Sequence, residues 1–267
     1  MKTLFDIRSA TERNSEHVLL LEAGTDYCSY VFWHRLTNAI DRLQFHSFAE
    51  MEAMERVADV LQECKDFSFA SVVICSAFPQ ALLTPTKYFN DDYSSLDVIY
   101  DQPAQVYKND SIPEWQMVNM YSLPKSLHQL FEDSFSSPRY IHVYTPAIKV
   151  YNGFVSDNQL SVHFTPQHFR ILVKKESAIH LAQTYTYQTP LDVVYYLLKI
   201  CYELGMEQST VHLILSGLIE KDSALFIEIH QYFTNVHFAH SPEIKLPEST
   251  LPQHFFTSLY NLARCVS

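Results

Sequence analysis

The feature that most restricts this chain is an order of apolar runs that occurs twice. Residues 17–24, 27–35 and 40–48 alternate or run apolar in strand fashion, with short turns between them. Ser47-Phe48-Ala49-Glu50 then has the spacing of a capping box, and Met51, Met54, Val57 or Ala58, and Leu61 follow as a helical stripe. Ser71-Val72-Val73-Ile74-Cys75 reads as a buried strand. The second half repeats the order: strands over 159–165, 168–175 and 178–187, then a helix opened by Thr189-Pro190-Leu191-Asp192 with proline at its favoured first position. Its stripe of Leu191, Val194 or Tyr195, Leu198 and Cys201 ends at Gly205, and Val211–Ser216 is the matching buried strand. "VVICSAF" falls on "LILSGLI", and "IDRLQFHSF" on "IHLAQTYTY", at shifts of roughly 140 residues. The expectation is an α/β protein of two lobes with a duplicated βββαβ core.

Residues 78–157 lie between the copies. The stretch from Thr84 to Pro113 reads as polar and irregular; a strand (115–123), a helix (124–135), a strand (140–144) and a short helix (146–154) are expected after it. The first lobe is therefore placed at 1–157 with an insertion near 84–113, and the second at 158–267. Phe255 or Phe256, Leu259, Leu262 or Ala263, and Val266 recur at helical spacing, so 251–266 is expected to be a closing helix that packs back on the first lobe.

Composition narrows the function classes. A chain that is 47% hydrophobic and 14% aromatic can bury a sizeable core. Its formal net charge of -11, with lysine and arginine scattered singly, offers no basic stripe, which argues against nucleic acid and anionic membranes as partners. Charges in Met1-Lys2-Thr3-Leu4-Phe5-Asp6-Ile7-Arg8 do not suit a secretory signal, and no run approaches the roughly 20 apolar residues of a membrane span. Five widely spaced cysteines fit reduced thiols, and the cytoplasm is the expected compartment. The four glycines, at 24, 153, 205 and 217, cannot write a P-loop or a dinucleotide fingerprint.

Three strands, a helix and a buried strand, repeated, resemble the actin, sugar kinase and heat-shock ATPase superfamily. "SVVICSAFPQALLTPTKYF" and "SLPKSLHQLFEDSFSSPRYIHVYTPAIKVYNGF" resemble the corresponding parts of actin-like scaffold proteins of type IV pilus and type II secretion systems. The whole is most similar to an uncharacterised Bacteroidetes family of unknown function (DUF3822-like) with an actin-like ATPase fold. In active members of the superfamily a glycine-containing hairpin in each half holds phosphates through its N–H groups, and an acidic residue positions the metal through water. The resemblance places the first hairpin at Glu22-Ala23-Gly24-Thr25, with glutamate where aspartate is usual. At the second hairpin the sequence reads Phe164-Thr165-Pro166-Gln167, where proline has no N–H to donate. Ser216-Gly217-Leu218 resembles the adenosine-binding turn with one glycine in place of two or more.

Two alternatives follow. The first is a non-catalytic actin-like protein whose nucleotide motifs are degenerate and which serves as a cytoplasmic protein-binding or scaffold module, with an unidentified protein partner, no cofactor, and a homodimer compatible with it. The second is an ATP-binding protein or weak ATPase, with Glu22, Gly24, Thr25 and Gly217 as the nucleotide contacts and Mg-ATP as ligand. Gly24 and Gly217 also read simply as turn residues suited to positive φ, and Glu22 and Asp26 as polar residues at strand ends. His163 and His168 flank the second hairpin; His230, His237 and His240 lack the companions of a zinc site. Cys28 and Cys75 read as packing residues, so neither a catalytic residue nor a metal ligand is expected.

Overall fold

A computed structural model gives the fold; it describes residues 1–9, 16–100, 104–150, 156–240, 244–247 and 249–267. The chain forms two compact units. The first comprises Met1–Lys149, Pro242–Thr250 and Leu259–Ser267; the second comprises Val150–Ser241 and Leu251–Ser258.

The first unit is built on a six-stranded sheet. Its strands are β1 (Lys2–Arg8), β2 (His17–Ala23), β3 (Tyr27–His34), β4 (Ala39–Ser47), β5 (Ser71–Ser76) and β9 (Arg139–His142), in the order β1-β4-β3-β2-β5-β9. β2 pairs antiparallel with β3 and parallel with β5, and β5 runs parallel to β9. All seven residues of β2 are buried, which accounts for its continuous apolar run. Helix α1 (Ala53–Cys64) buries Val57, Val60, Leu61 and Cys64. A smaller three-stranded sheet, β6 (Ala81–Pro85), β8 (Met117–Pro124) and β7 (Gln105–Ile112) in that order, carries helix α2 (Ser94–Tyr100). Leu96, Val118 and Met120 form its own small core. Helices α3 (Lys125–Ser134) and α4 (Tyr144–Lys149) flank β9 in sequence.

The second unit holds a five-stranded sheet of β10 (Asn158–Phe164), β11 (His168–Lys175), β12 (Ala178–Thr186), β13 (His212–Gly217) and β14 (Val236–Phe238). Its order, β12-β11-β10-β13-β14, matches β4-β3-β2-β5-β9 strand for strand. The senses of pairing match too, antiparallel for β10 with β11 and parallel for β10 with β13 and β13 with β14. Helix α5 (Pro190–Glu203) takes the place of α1, and α6 (Ala224–Tyr232) follows β13. Val193, Val194, Leu197, Phe226 and Ile229 from these helices share one core with Leu160, Val162, Phe169, Leu213 and Leu215 from the sheet. The repeated βββαβ order is thus a repeated topology. The chain closes with a 3₁₀ turn at Gln253–Phe256 and helix α7 (Thr257–Val266).

Several local expectations need correction. No capping box precedes α1: a 3₁₀ turn at Glu50–Glu52 starts from Ala49, which has no side-chain acceptor, while Ser47 is spent as the last residue of β4. That tighter turn also changes the helical phase, so Met51 is 93% exposed and the buried stripe begins at Val57. In α5 the expected stripe holds at Val194 and Cys201 and fails at Leu191. Residues 191–201 are apolar at nearly every position and admit more than one phase, and Leu191 and Tyr195 face solvent where Val193 and Leu197 are buried. The capping box that does form joins Thr189 and Asp192. The described residues between Thr84 and Pro113, expected to be irregular, include α2 and β7, and the polar residues of β7 reflect a half-covered edge strand. β1 and β14 add strands to the two larger sheets, and α6 adds a helix, beyond the expected elements. Helix α4 ends at Lys149, and residues 151–154 of the expected 146–154 helix, Gly153 among them, lie outside the described residues.

Candidate functional site

Glu22, Gly24 and Thr25 sit together on the β2–β3 hairpin. Glu22 is the penultimate residue of β2, 1% exposed, opposite Ser29 on β3 and Cys75 on β5. The hairpin closes on itself: the Gly24 N–H donates to the Tyr27 carbonyl at 3.0 Å. Tyr27, also buried, donates its hydroxyl to the Glu22 carboxylate and stacks its ring on Phe45 at 5.1 Å. A Cβ placed on Gly24 would come within 2.8 Å of Tyr27 Cε1. Gly24 does not have a positive φ, so its glycine is required by the tyrosine ring lying against it. Thr25, the next residue, is partly exposed.

The second unit repeats this turn with different chemistry. The Thr165 N–H donates to the His168 carbonyl at 2.8 Å, and the Thr165 hydroxyl reaches the same oxygen at 3.0 Å. His163 occupies the place Glu22 has in the first unit, opposite Ser216 where Glu22 is opposite Cys75. The Ser216 hydroxyl donates to the Val162 carbonyl, leaving its oxygen to accept from His163 Nδ1 at 3.0 Å. Burial, and then the Arg170 charge, push His163 well below the usual imidazole range, so this histidine is a neutral donor.

Gly217 ends β13 at φ +76°, and a Cβ there would lie 2.1 Å from the Phe164 carbonyl oxygen. The Leu218 N–H donates to that oxygen at 2.9 Å. Only glycine allows the end of β13 to approach the end of β10 so closely. The chain therefore places Glu22, Gly24 and Thr25 in one hairpin and Gly217 at the corresponding level of the second unit, and the glycine requirement at both positions arises from contacts within the protein.

The remaining candidates are structural in their surroundings. Burial pushes the Cys28 thiol well up, away from the reactive thiolate form. Among the described residues no three His, Cys, Asp or Glu side chains are grouped to hold a metal ion, and His237 stacks on His212.

A polar network with no signature in the sequence links the small sheet to the large one. Asp110 on β7 accepts from the His142 N–H at 2.8 Å and from the Thr145 hydroxyl at 2.7 Å. Asn119 on β8 donates to Thr145 Oγ1 and to His142 Nδ1, and His142 Nε2 donates to the Phe78 carbonyl at 2.9 Å. Asn119, His142 and Thr145 are at most 1% exposed. Desolvation pushes the Asp110 carboxyl up to about 6, outweighing the hydrogen bonds that favour its ionised form. Isolated polar letters in separate elements carry no spacing signal, so only the fold reveals them.

The comparisons with known proteins agree with this architecture. The family model described as "Protein of unknown function (DUF3822)" matches residues 8–236. No curated protein sequence matches. A Bacteroides thetaiotaomicron VPI-5482 protein with actin-like ATPase fold and unknown function superposes with a TM-score of 0.76 at 16% identity, covering 94% of this chain and 96% of that one. A chain of the PilM-PilN type IV pilus biogenesis complex superposes at 0.60 and 12% identity, over 96% of this chain and 100% of that one. The ethanolamine utilization protein EutJ from Carboxydothermus hydrogenoformans gives 0.51 and 8% identity, over 96% and 92%. At these identities the likeness establishes the fold, which is the actin-like ATPase fold.

Proposed function

The chain belongs to the DUF3822 family of proteins of unknown function, and from that premise we propose that it is a non-catalytic, protein-binding or scaffold member of the actin-like class, acting in the cytoplasm. The observation that carries this reading is Tyr27. Its ring lies against Gly24 and its hydroxyl holds Glu22, so the hairpin's own side chain fills the space beside its glycine. In both hairpins the first N–H is consumed in closing the turn, by Tyr27 O and by His168 O. The second hairpin adds Pro166, which has no N–H, and replaces the carboxylate by a neutral histidine. A metal-bound triphosphate needs free donors and an available carboxylate. Protein binding draws support from the PilM-PilN complex, in which a chain of this fold stands in an assembly with a protein partner. No helix among the described residues is long and apolar enough to cross a membrane.

A phosphate-release assay tests the reading. With Mg-ATP the purified protein is expected to release no phosphate above the buffer rate. Turnover that Gly24→Val abolishes in a folded variant would overturn it, and would assign Glu22, Gly24, Thr25 and Gly217 to nucleotide after all.

A further inference from the structure

Two histidines stand side by side on the sheet of the second unit with their ring nitrogens uncommitted. His212 opens β13, and His237 is the middle residue of β14. Leu213 pairs with Val236 and Ile214 with His237, so strand alternation puts both imidazoles on the face opposite to Leu213 and Leu215, which belong to the core. The rings lie 6.1 Å apart, centre to centre, and 24° from parallel. His212 is half-buried and His237 exposed; among the described residues neither ring makes a hydrogen bond or an ion pair. In the first unit a pair at a similar distance, His17 and His34 at 5.6 Å, is engaged instead: His17 Nε2 with Asp41 at 2.5 Å, His34 Nε2 with Glu16 at 3.2 Å and His34 Nδ1 with Thr37.

A third group lies beside them with an unmet need. Gln159 on β10 is the register partner of His212 and is 1% exposed. Its amide nitrogen donates to Ser161 Oγ at 3.1 Å, and its Oε1 has no hydrogen-bond partner. A buried acceptor without a donor is costly, and native folds rarely leave one.

We propose that His212 and His237 bind a divalent transition-metal ion of the borderline class, such as Zn²⁺ or Cu²⁺, and that Gln159 is the outer partner that orients His212. Each imidazole gives the ion one nitrogen lone pair. The other nitrogen of His212 keeps its proton and donates it to Gln159 Oε1, the arrangement that fixes the tautomer and ring direction of a metal-bound histidine. With metal–nitrogen bonds of about 2.0–2.1 Å, two imidazoles on one ion hold their ring centres between about 5 Å at a tetrahedral angle and about 6.4 Å when linear. The observed 6.1 Å falls inside that range, so the two strands need not move. The described residues bring no third His, Cys, Asp or Glu to the pair. Water therefore fills the remaining positions, and the ion is exchangeable, unlike the closed four-ligand sites that hold a fold together. Imidazole selects zinc, copper and nickel over calcium and magnesium, which take oxygen donors. Since a net charge of -11 attracts any cation, discrimination between ions identifies the site better than binding alone.

Calorimetric titration of the purified chain with Zn²⁺ tests this. One ion per chain is expected, undiminished by millimolar Mg²⁺, and EDTA should remove it with the circular dichroism spectrum unchanged. His212→Asn and His237→Asn, each checked for fold by the same spectrum, should weaken binding about tenfold or more, while His180→Asn, at an exposed position on β12, should not. Gln159→Leu keeps the side chain's bulk and should weaken binding about 10–100-fold. With Cu²⁺ in place of Zn²⁺, electron paramagnetic resonance should show hyperfine lines from two imidazole nitrogens in the wild type and fewer in either histidine variant. No bound zinc, displacement by Mg²⁺, loss of fold on chelation, or full affinity in either histidine variant would overturn the site. Wild-type affinity in Gln159→Leu would overturn the role given to Gln159.

Discussion

Replacing Asp110 by asparagine should stabilise this protein at neutral pH and not in acid. The carboxyl titrates near 6 in the folded chain against an ordinary 3.8, raised by desolvation. Between those values the folded state binds more protons than the unfolded state, so this group's contribution to stability falls as pH rises through the window. At 1.36 kcal/mol per unit, the full effect approaches ~3 kcal/mol, of which about 2 kcal/mol develops between about pH 4.5 and 7.5. Asparagine keeps the geometry of the protonated acid. Its carbonyl can accept from Thr145 Oγ1 and the His142 N–H, and its amide can face the Tyr121 hydroxyl, 3.5 Å from the carboxylate in the native chain. Burial lowers His46, His128, His163 and His254, which removes stability from both proteins as pH falls and cancels in the difference. Urea unfolding of both proteins across this range is the assay, and the advantage of Asp110→Asn should grow by about 2 kcal/mol from the acid to the neutral end. An advantage that is flat or shrinks with pH would refute the argument that Asp110 is a costly buried charge.

Other substitutions test separate parts of the account. Gly217→Ala meets backbone at 2.1 Å as well as a positive φ, whereas Gly205→Ala at φ +60° has open space around it. The first should cost well over ~3 kcal/mol or prevent folding, and the second about 1 kcal/mol, read from denaturation midpoints. Tyr27→Phe takes the hydroxyl from the buried Glu22 carboxylate and should lower stability by about 1–3 kcal/mol; a neutral result would mean the pair does not hold the hairpin. Thr189→Ala removes a side chain that caps Asp192 N, and thermal melts should register a loss of about 1 kcal/mol.

The sequence showed topology more readily than phase or side-chain contact. β2, β3, β10 and β11 were legible because strand period and short turns set their limits within a residue or two. α1 and α5 were legible as helices, but the 3₁₀ turn before α1 turned Met51 outward, and apolar residues at adjacent positions of α5 left its rotation open, with Leu191 facing solvent. β7 was hidden because an edge strand need not be apolar, as Lys108, Asn109 and Asp110 illustrate. At the candidate site the hairpins could be located from turn residues and the repeat. The role of Tyr27 could not, since the first residue of an apolar strand gives no hint that its ring returns over Gly24. Nor does any pattern announce that Asp110, Asn119, His142 and Thr145 converge from β7, β8, β9 and α4.

The most direct test of the central claim is the thermal melting midpoint of the purified protein with and without Mg-ATP at millimolar concentration. A ligand that binds only the folded state stabilises it by about 2.7 kcal/mol at a hundredfold excess over Kd, a shift that is readily measured. The closed hairpins predict an unchanged midpoint. A magnesium-dependent rise, lost in a folded Gly24→Val variant, would contradict them and make this chain a nucleotide-binding member of its fold.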